Sequence, residues 1–94
     1  MIDQGAISIA DLNREVRQPV LVLSNRRFHQ LTGRALVAPR EQAEPFPWRI
    51  EHDGESYAVD LSRTVSLDNL GDAVGTASVT AQQEAARALR FITA

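Results

Sequence analysis

The chain begins with apolar and polar residues alternating at period two, Ala6-Ile7-Ser8-Ile9-Ala10-Asp11-Leu12, which predicts a half-buried strand. Asn13 to Gln18 is polar and reads as a connection. Pro19-Val20-Leu21-Val22-Leu23-Ser24 is a short apolar run, as in a strand covered on both faces, and proline fits at its first position. Asn25 to Leu31 predicts one helical turn, and Thr32-Gly33 a turn after it. Arg34-Ala35-Leu36-Val37-Ala38 predicts a third strand, stopped by Pro39. Phe46 to His52 predicts a fourth, which Pro47 assigns to a sheet edge.

Asp53-Gly54 is the clearest hairpin signal and joins the fourth strand to Ser56-Tyr57-Ala58-Val59-Asp60-Leu61. Arg63 to Leu67 alternates and extends that strand beyond a bend, and Ala73 to Ala77 predicts a last short strand. From Thr80 the period changes. Thr80 with Gln83 matches a capping box, and Ala81, Ala85, Leu89 and Ile92 form one stripe of a terminal helix. Five or six short strands followed by one helix predict a mainly β (β+α) fold, a small barrel closed by a C-terminal α-helix.

At 94 residues the chain supports one core, so residues 1–94 are expected to form a single domain. With no cysteine there is no disulfide, thiol nucleophile or thiolate metal ligand. Met1-Ile2-Asp3-Gln4 does not open a signal peptide, and no apolar run approaches the ~20 residues of a membrane span. A cytoplasmic protein with no membrane partner is expected. Net charge is −2, but it is segregated. All ten basic residues are arginine; residues 14–49 carry a balance of +4 and residues 50–94 a balance of −4. A basic face of this kind suits an anion, and the planar guanidinium fork suits phosphate.

Several segments in order resemble the MazF/PemK toxins of type II toxin–antitoxin modules. Gly5 opens the first strand, and Pro19 to Asn25 is similar to the family's "RPxxVVSN" strand. Thr32-Gly33 followed by Ala35 to Pro39 resembles "TGxxxxxP", and Pro45-Phe46-Pro47-Trp48 resembles "YPFxV". Ser62-Arg63-Thr64-Val65, Leu70-Gly71 and Gly75 fit "IRTVDxxRLxxxxGxLS", and the terminal helix matches as well. The resemblance implies an SH3-like β-barrel, a homodimer, a cognate antitoxin as partner, and metal-independent, sequence-specific cleavage of single-stranded RNA with no cofactor. In that chemistry the 2′-hydroxyl attacks the adjacent phosphorus, and the enzyme orients the attack, moves protons and stabilises the phosphorane.

The chain departs from the family pattern at both expected catalytic positions. Gln18 stands before the strand-two proline where the family has arginine, and Arg40-Glu41-Gln42 follows Pro39 where it has threonine or serine. Arg17 and Arg40 are therefore the candidate catalytic residues, at the strand ends expected to face RNA. Arg26 and Arg27 are candidates to follow the RNA backbone, and Phe46 and Trp48, two apart on one strand face, to stack on bases. Glu15 and Glu41 are possible general bases. His29 and His52 would make an acid–base pair if the fold joined them, and no metal site is expected. Two alternatives remain open. One is a CcdB-like toxin that binds DNA gyrase without chemistry, to which Gly54-Glu55-Ser56-Tyr57 has some similarity; the other is a catalytically degenerate interaction module.

Overall fold

The computed structural model describes residues 2–13, 16–41 and 49–93. The chain runs β1 (Ala6–Asn13), β2 (Val16–Val22), α1 (Arg26–Thr32), β3 (Arg34–Pro39), β4 (Arg49–His52), β5 (Glu55–Ala58), β6 (Arg63–Ser66), β7 (Leu70–Thr76) and α2 (Val79–Thr93). The fold is mainly β with a C-terminal helix, as the pattern predicts. Among the described residues the pairing is open rather than a closed ring: a five-stranded antiparallel sheet ordered β6-β3-β2-β1-β7, and a separate β4–β5 hairpin.

That sheet is nonetheless curled. Its edge strands, β6 and β7, are consecutive in the chain and joined by only the three-residue 3₁₀ turn Leu67–Asn69. A flat sheet would hold those edges four strand spacings apart, roughly 19 Å. The concave face wraps a cluster of Ala6, Ala10, Val20, Val22, Ala35, Val37 and Val65. The convex face carries Ile7, Leu21, Leu23 and Ala38, which pack against Ile50 and Tyr57 of the hairpin and Ala81, Ala85 and Ala88 of α2. Strand alternation thus supplies two cores, one inside the curl and one between its outer face and the helix.

Four local predictions are corrected by the structure. β2 begins at Val16, so Arg17 and Gln18 lie in the strand instead of a connection, and Pro19 is internal, opposite Ile9. Proline is tolerated because β3 pairs only with Val20–Val22; the nitrogen of residue 19 faces the side where no ladder bond is required. β5 stops at Ala58, where Val59–Leu61 forms a 3₁₀ turn, so β6 is a separate strand paired with β3. The cap of α2 is Ser78, whose Oγ accepts from the Ala81 N–H at 3.0 Å, in place of Thr80. Ala88 joins the buried stripe, while Ile92 is exposed.

Other signals hold. Asp53 (φ 49°) and Gly54 (φ 76°) both adopt positive φ, as a two-residue hairpin turn requires. Asn25 caps α1 through a bond from the Phe28 N–H, and Gly33 ends it in the left-handed conformation. Gly5 has φ +87°, a conformation L side chains rarely adopt, and a Cβ there would stand 2.3 Å from Gln82 Cδ, so a larger residue would strain the backbone and push the Gln82 side chain aside.

Candidate active site at the bulge end of the sheet

Antiparallel strands assign residues to two ends of the sheet. The last residues of β1 and β3 and the first of β2 and β6 gather at one end. Arg17, Arg40 and Arg63 stand there. Arg26 and Arg27 follow the opposite end of β2, and Arg17 to Leu23 alone spans roughly 20 Å of extended chain. The candidate arginines therefore form two groups at opposite ends. Phe46 and Trp48, with Glu15, lie outside the described residues.

Arg17 is exposed, opposite Asp11 in the β1–β2 ladder. It lines a cleft of about 190 Å³ with Asp11, Asp68, Asn69, Leu70 and Gly71. Its Nη2 lies 3.8 Å from where a Cβ on Gly71 would stand, so the guanidinium rests alongside β7 at ordinary contact distance. None of the ion pairs among the described residues takes Arg17. Gln18 is half-buried opposite Ala10, and alternation turns it to the concave face, away from Arg17.

Arg40 bridges to Tyr57 beyond the end of β3 and pairs loosely with Glu55 at 3.7 Å. It leans toward the hairpin, whereas Arg17 leans across β1 toward β7. Burial, then the Glu55 charge, raise the Tyr57 hydroxyl above its ordinary range, against the opposing effect of Arg40. The phenol thus stays neutral through physiological pH. Glu41 extends this segment, its N–H donating to the Ser56 carbonyl at 2.8 Å.

The other end is occupied by internal bonding. Arg26 pairs with Asp3 at 2.7 Å, and Arg27 is exposed. His29 is buried, with Nε2 2.7 Å from Ser24 Oγ and Nδ1 3.0 Å from the Ile2 carbonyl. A carbonyl only accepts, so Nδ1 donates to it, while Nε2 pairs with the Ser24 hydroxyl, whose oxygen also accepts the Leu36 N–H at 2.8 Å. His52 lies instead on the hairpin, 3.5 Å from Asp53. The two histidines do not meet.

Residue types alone did not single out Asp11, Asp68, Asn69 or Arg63 for this site. Strand direction was the available signal: residues 17 and 26 are nine positions apart across one strand and must fall at opposite ends. Among the described residues no three His, Asp or Glu side chains are grouped to hold a metal ion, and no helix is long and apolar enough to cross a membrane.

Comparison with known proteins bears on this geometry. Residues 3–93 match the family model described as PemK-like, MazF-like toxin of type II toxin–antitoxin system. No significant match occurs among curated protein sequences. Among solved structures, an endoribonuclease in complex with its cognate antitoxin from a mycobacterial species is similar at TM-score 0.85 and 18% identity, over 99% of this chain and 95% of that one. MazE–MazF from Deinococcus radiodurans gives TM-score 0.84 and 18% identity over 98% and 94%. The Mycobacterium tuberculosis toxin MazF-mt6 gives 0.74 and 20% over 94% and 95%. At these identities the structural likeness establishes the fold.

Proposed function

The chain belongs to the PemK-like, MazF-like toxins of type II toxin–antitoxin systems, and on that premise we propose that it is an endoribonuclease that cleaves single-stranded RNA without a cofactor, with Arg17 as the residue that stabilises the phosphorane. The observation that carries this reading is the placement of Arg17: an exposed guanidinium in an open polar cleft, free of the ion pairs that engage Arg26 and Arg40. Its fork is available to two phosphate oxygens as negative charge builds on them. Asp11 and Asp68 line the same cleft and are the proposed acceptors of the 2′-hydroxyl proton. Arg40, partly offset by Glu55, serves as a second phosphate contact on the neighbouring strand.

Arg26 and Arg27 meet RNA in this scheme only along a longer strand running down the sheet, and Phe46 and Trp48 are the proposed stacking residues. A cognate antitoxin is the proposed protein partner, supported by family membership and by the antitoxin complexes formed by the similar mycobacterial and Deinococcus proteins. A homodimer is proposed on the same membership.

The deciding experiment incubates purified protein with a long single-stranded RNA in EDTA and maps the new ends. Sequence-specific cuts with 2′,3′-cyclic phosphate and 5′-hydroxyl termini are expected, and Arg17→Ala is expected to slow them by about 10²–10³-fold. Intact RNA would overturn the reading and leave a CcdB-like gyrase binder or a degenerate interaction module.

A further inference from the structure

The β1–β2 ladder slips near its end. Asp11 pairs with Arg17 and Asn13 with Val16, so Leu12 is an extra residue on β1, the signature of a β-bulge. A bulged residue is left out of regular pairing, and its backbone polar groups need partners from elsewhere. The Leu12 carbonyl takes one from across the curl: Arg63 Nη2 donates to it. Arg63 opens β6, opposite Val37 on β3, so this bond reaches from one edge of the sheet to β1 and bypasses the strands between.

Arg17 stands at the last regular pair before the slip. Bulges sharpen the local twist, so the direction of side chains next to them depends on how the bulge is held. We propose that Arg63 is a positioning residue: by clasping the bulged Leu12 carbonyl it fixes the strand end that aims Arg17 into the cleft of Asp68, Asn69 and Gly71. The catalytic consequence rests on the ribonuclease reading given above; the clasp itself does not. Arginine suits the task because it carries only donors and keeps its charge, and lysine could make the same single donation.

A direct contact between Arg63 and RNA would show itself differently. Loss of a substrate contact raises KM, whereas misaiming Arg17 lowers kcat with KM held. Arg63 is exposed, so its variants are expected to fold. The test measures cleavage by the wild type, Arg63→Met, Arg63→Lys, Arg17→Ala and the Arg63→Met/Arg17→Ala pair, together with amide hydrogen exchange in the absence of RNA. Arg63→Met is expected to lower kcat by about tenfold to a hundredfold with KM little changed, and Arg63→Lys to restore most of the rate. In the Arg17→Ala background Arg63→Met is expected to change nothing further. Exchange of the Val16 to Gln18 amides is expected to speed up by about tenfold, with α1 and α2 unaffected.

A rise in KM at constant kcat, or full additivity of the two substitutions, would overturn the positioning role. If the wild type leaves RNA intact, the ribonuclease reading fails by itself and exchange decides the clasp. Acceleration confined to residues 11–18 supports it, and unchanged or uniformly altered exchange overturns it.

Discussion

At the α1 end of the sheet, polar groups other than the exposed Arg27 are spent on one another: Arg26 on Asp3, Asn25 on the Phe28 N–H, His29 on Ser24 and the Ile2 carbonyl, and Gln4 Nε2 on the Leu23 carbonyl. At the bulge end Arg17 projects into an open cleft between two carboxylates, outside every ion pair among the described residues. Both ends look alike in a charge plot, since each has arginines next to acids. The difference is whether the charges are closed on each other or held for something else. Buried, mutually satisfied groups fix a fold, whereas an exposed cation beside a cleft has binding capacity left over.

This contrast predicts opposite outcomes for substitutions at the two ends. Arg17→Ala should cost the most, about 10²–10³ in kcat for RNA cleavage, with the urea midpoint unchanged. His29→Ala should do the reverse, leaving kcat intact while destabilising by about 2–3 kcal/mol in urea denaturation, because it opens a cavity and strands Ser24. Gly33→Ala, at φ +68°, should lower stability by about 1 kcal/mol, again without a kinetic effect. Arg26→Ala should move stability by no more than about 0.5 kcal/mol, as an exposed pair is screened by water and salt. If Arg26→Ala impaired cleavage as strongly as Arg17→Ala, the division between the ends would be wrong.

Salt and alkali sharpen the picture further. RNA affinity should fall by roughly 0.7 log units per log unit of salt for each phosphate neutralised. The Tyr57 hydroxyl is raised in the folded state, so folding favours its neutral form. Its contribution is fully present below the ordinary tyrosine pKa of about 10, and is lost as pH rises from there through the folded value. Alkaline titration should show destabilisation beginning above that point, and Tyr57→Phe should remove that part of it.

The hairpin, the short helix ending at Thr32-Gly33 and the terminal helix were legible because their signals are local. Asp53-Gly54 announces positive φ at two residues, and Asn25 and Gly33 bracket a helix by side-chain chemistry and backbone freedom. The start of β2 was not legible, because Val16-Arg17-Gln18 is polar on a strand whose partner β1 is still present to pair with it. Tertiary pairing overrode composition there. The split of the arginines and the role of Arg63 depend on which strands become neighbours: Arg63 and Leu12 are 51 residues apart, and nothing local joins them. The resemblance to the toxin family was carried by turn and strand residues. For that reason it found the fold while its two catalytic positions, now Gln18 and Arg40, said less about the site.

The pairing of β1 with β7 also bears on the order of assembly. Ala6 is held by Thr76, so the first strand made is also the one whose second neighbour arrives last. Until β7 emerges during synthesis, β1 can pair only with β2, and one of its edges stays open. Closing so long a segment carries a loop entropy that grows with the logarithm of its length, and such distant contacts slow folding. The Arg17 cleft needs Asp68 to Gly71 from the same late segment. A nascent chain therefore carries the arginine well before it has the cleft, and the site is completed among the last steps of folding.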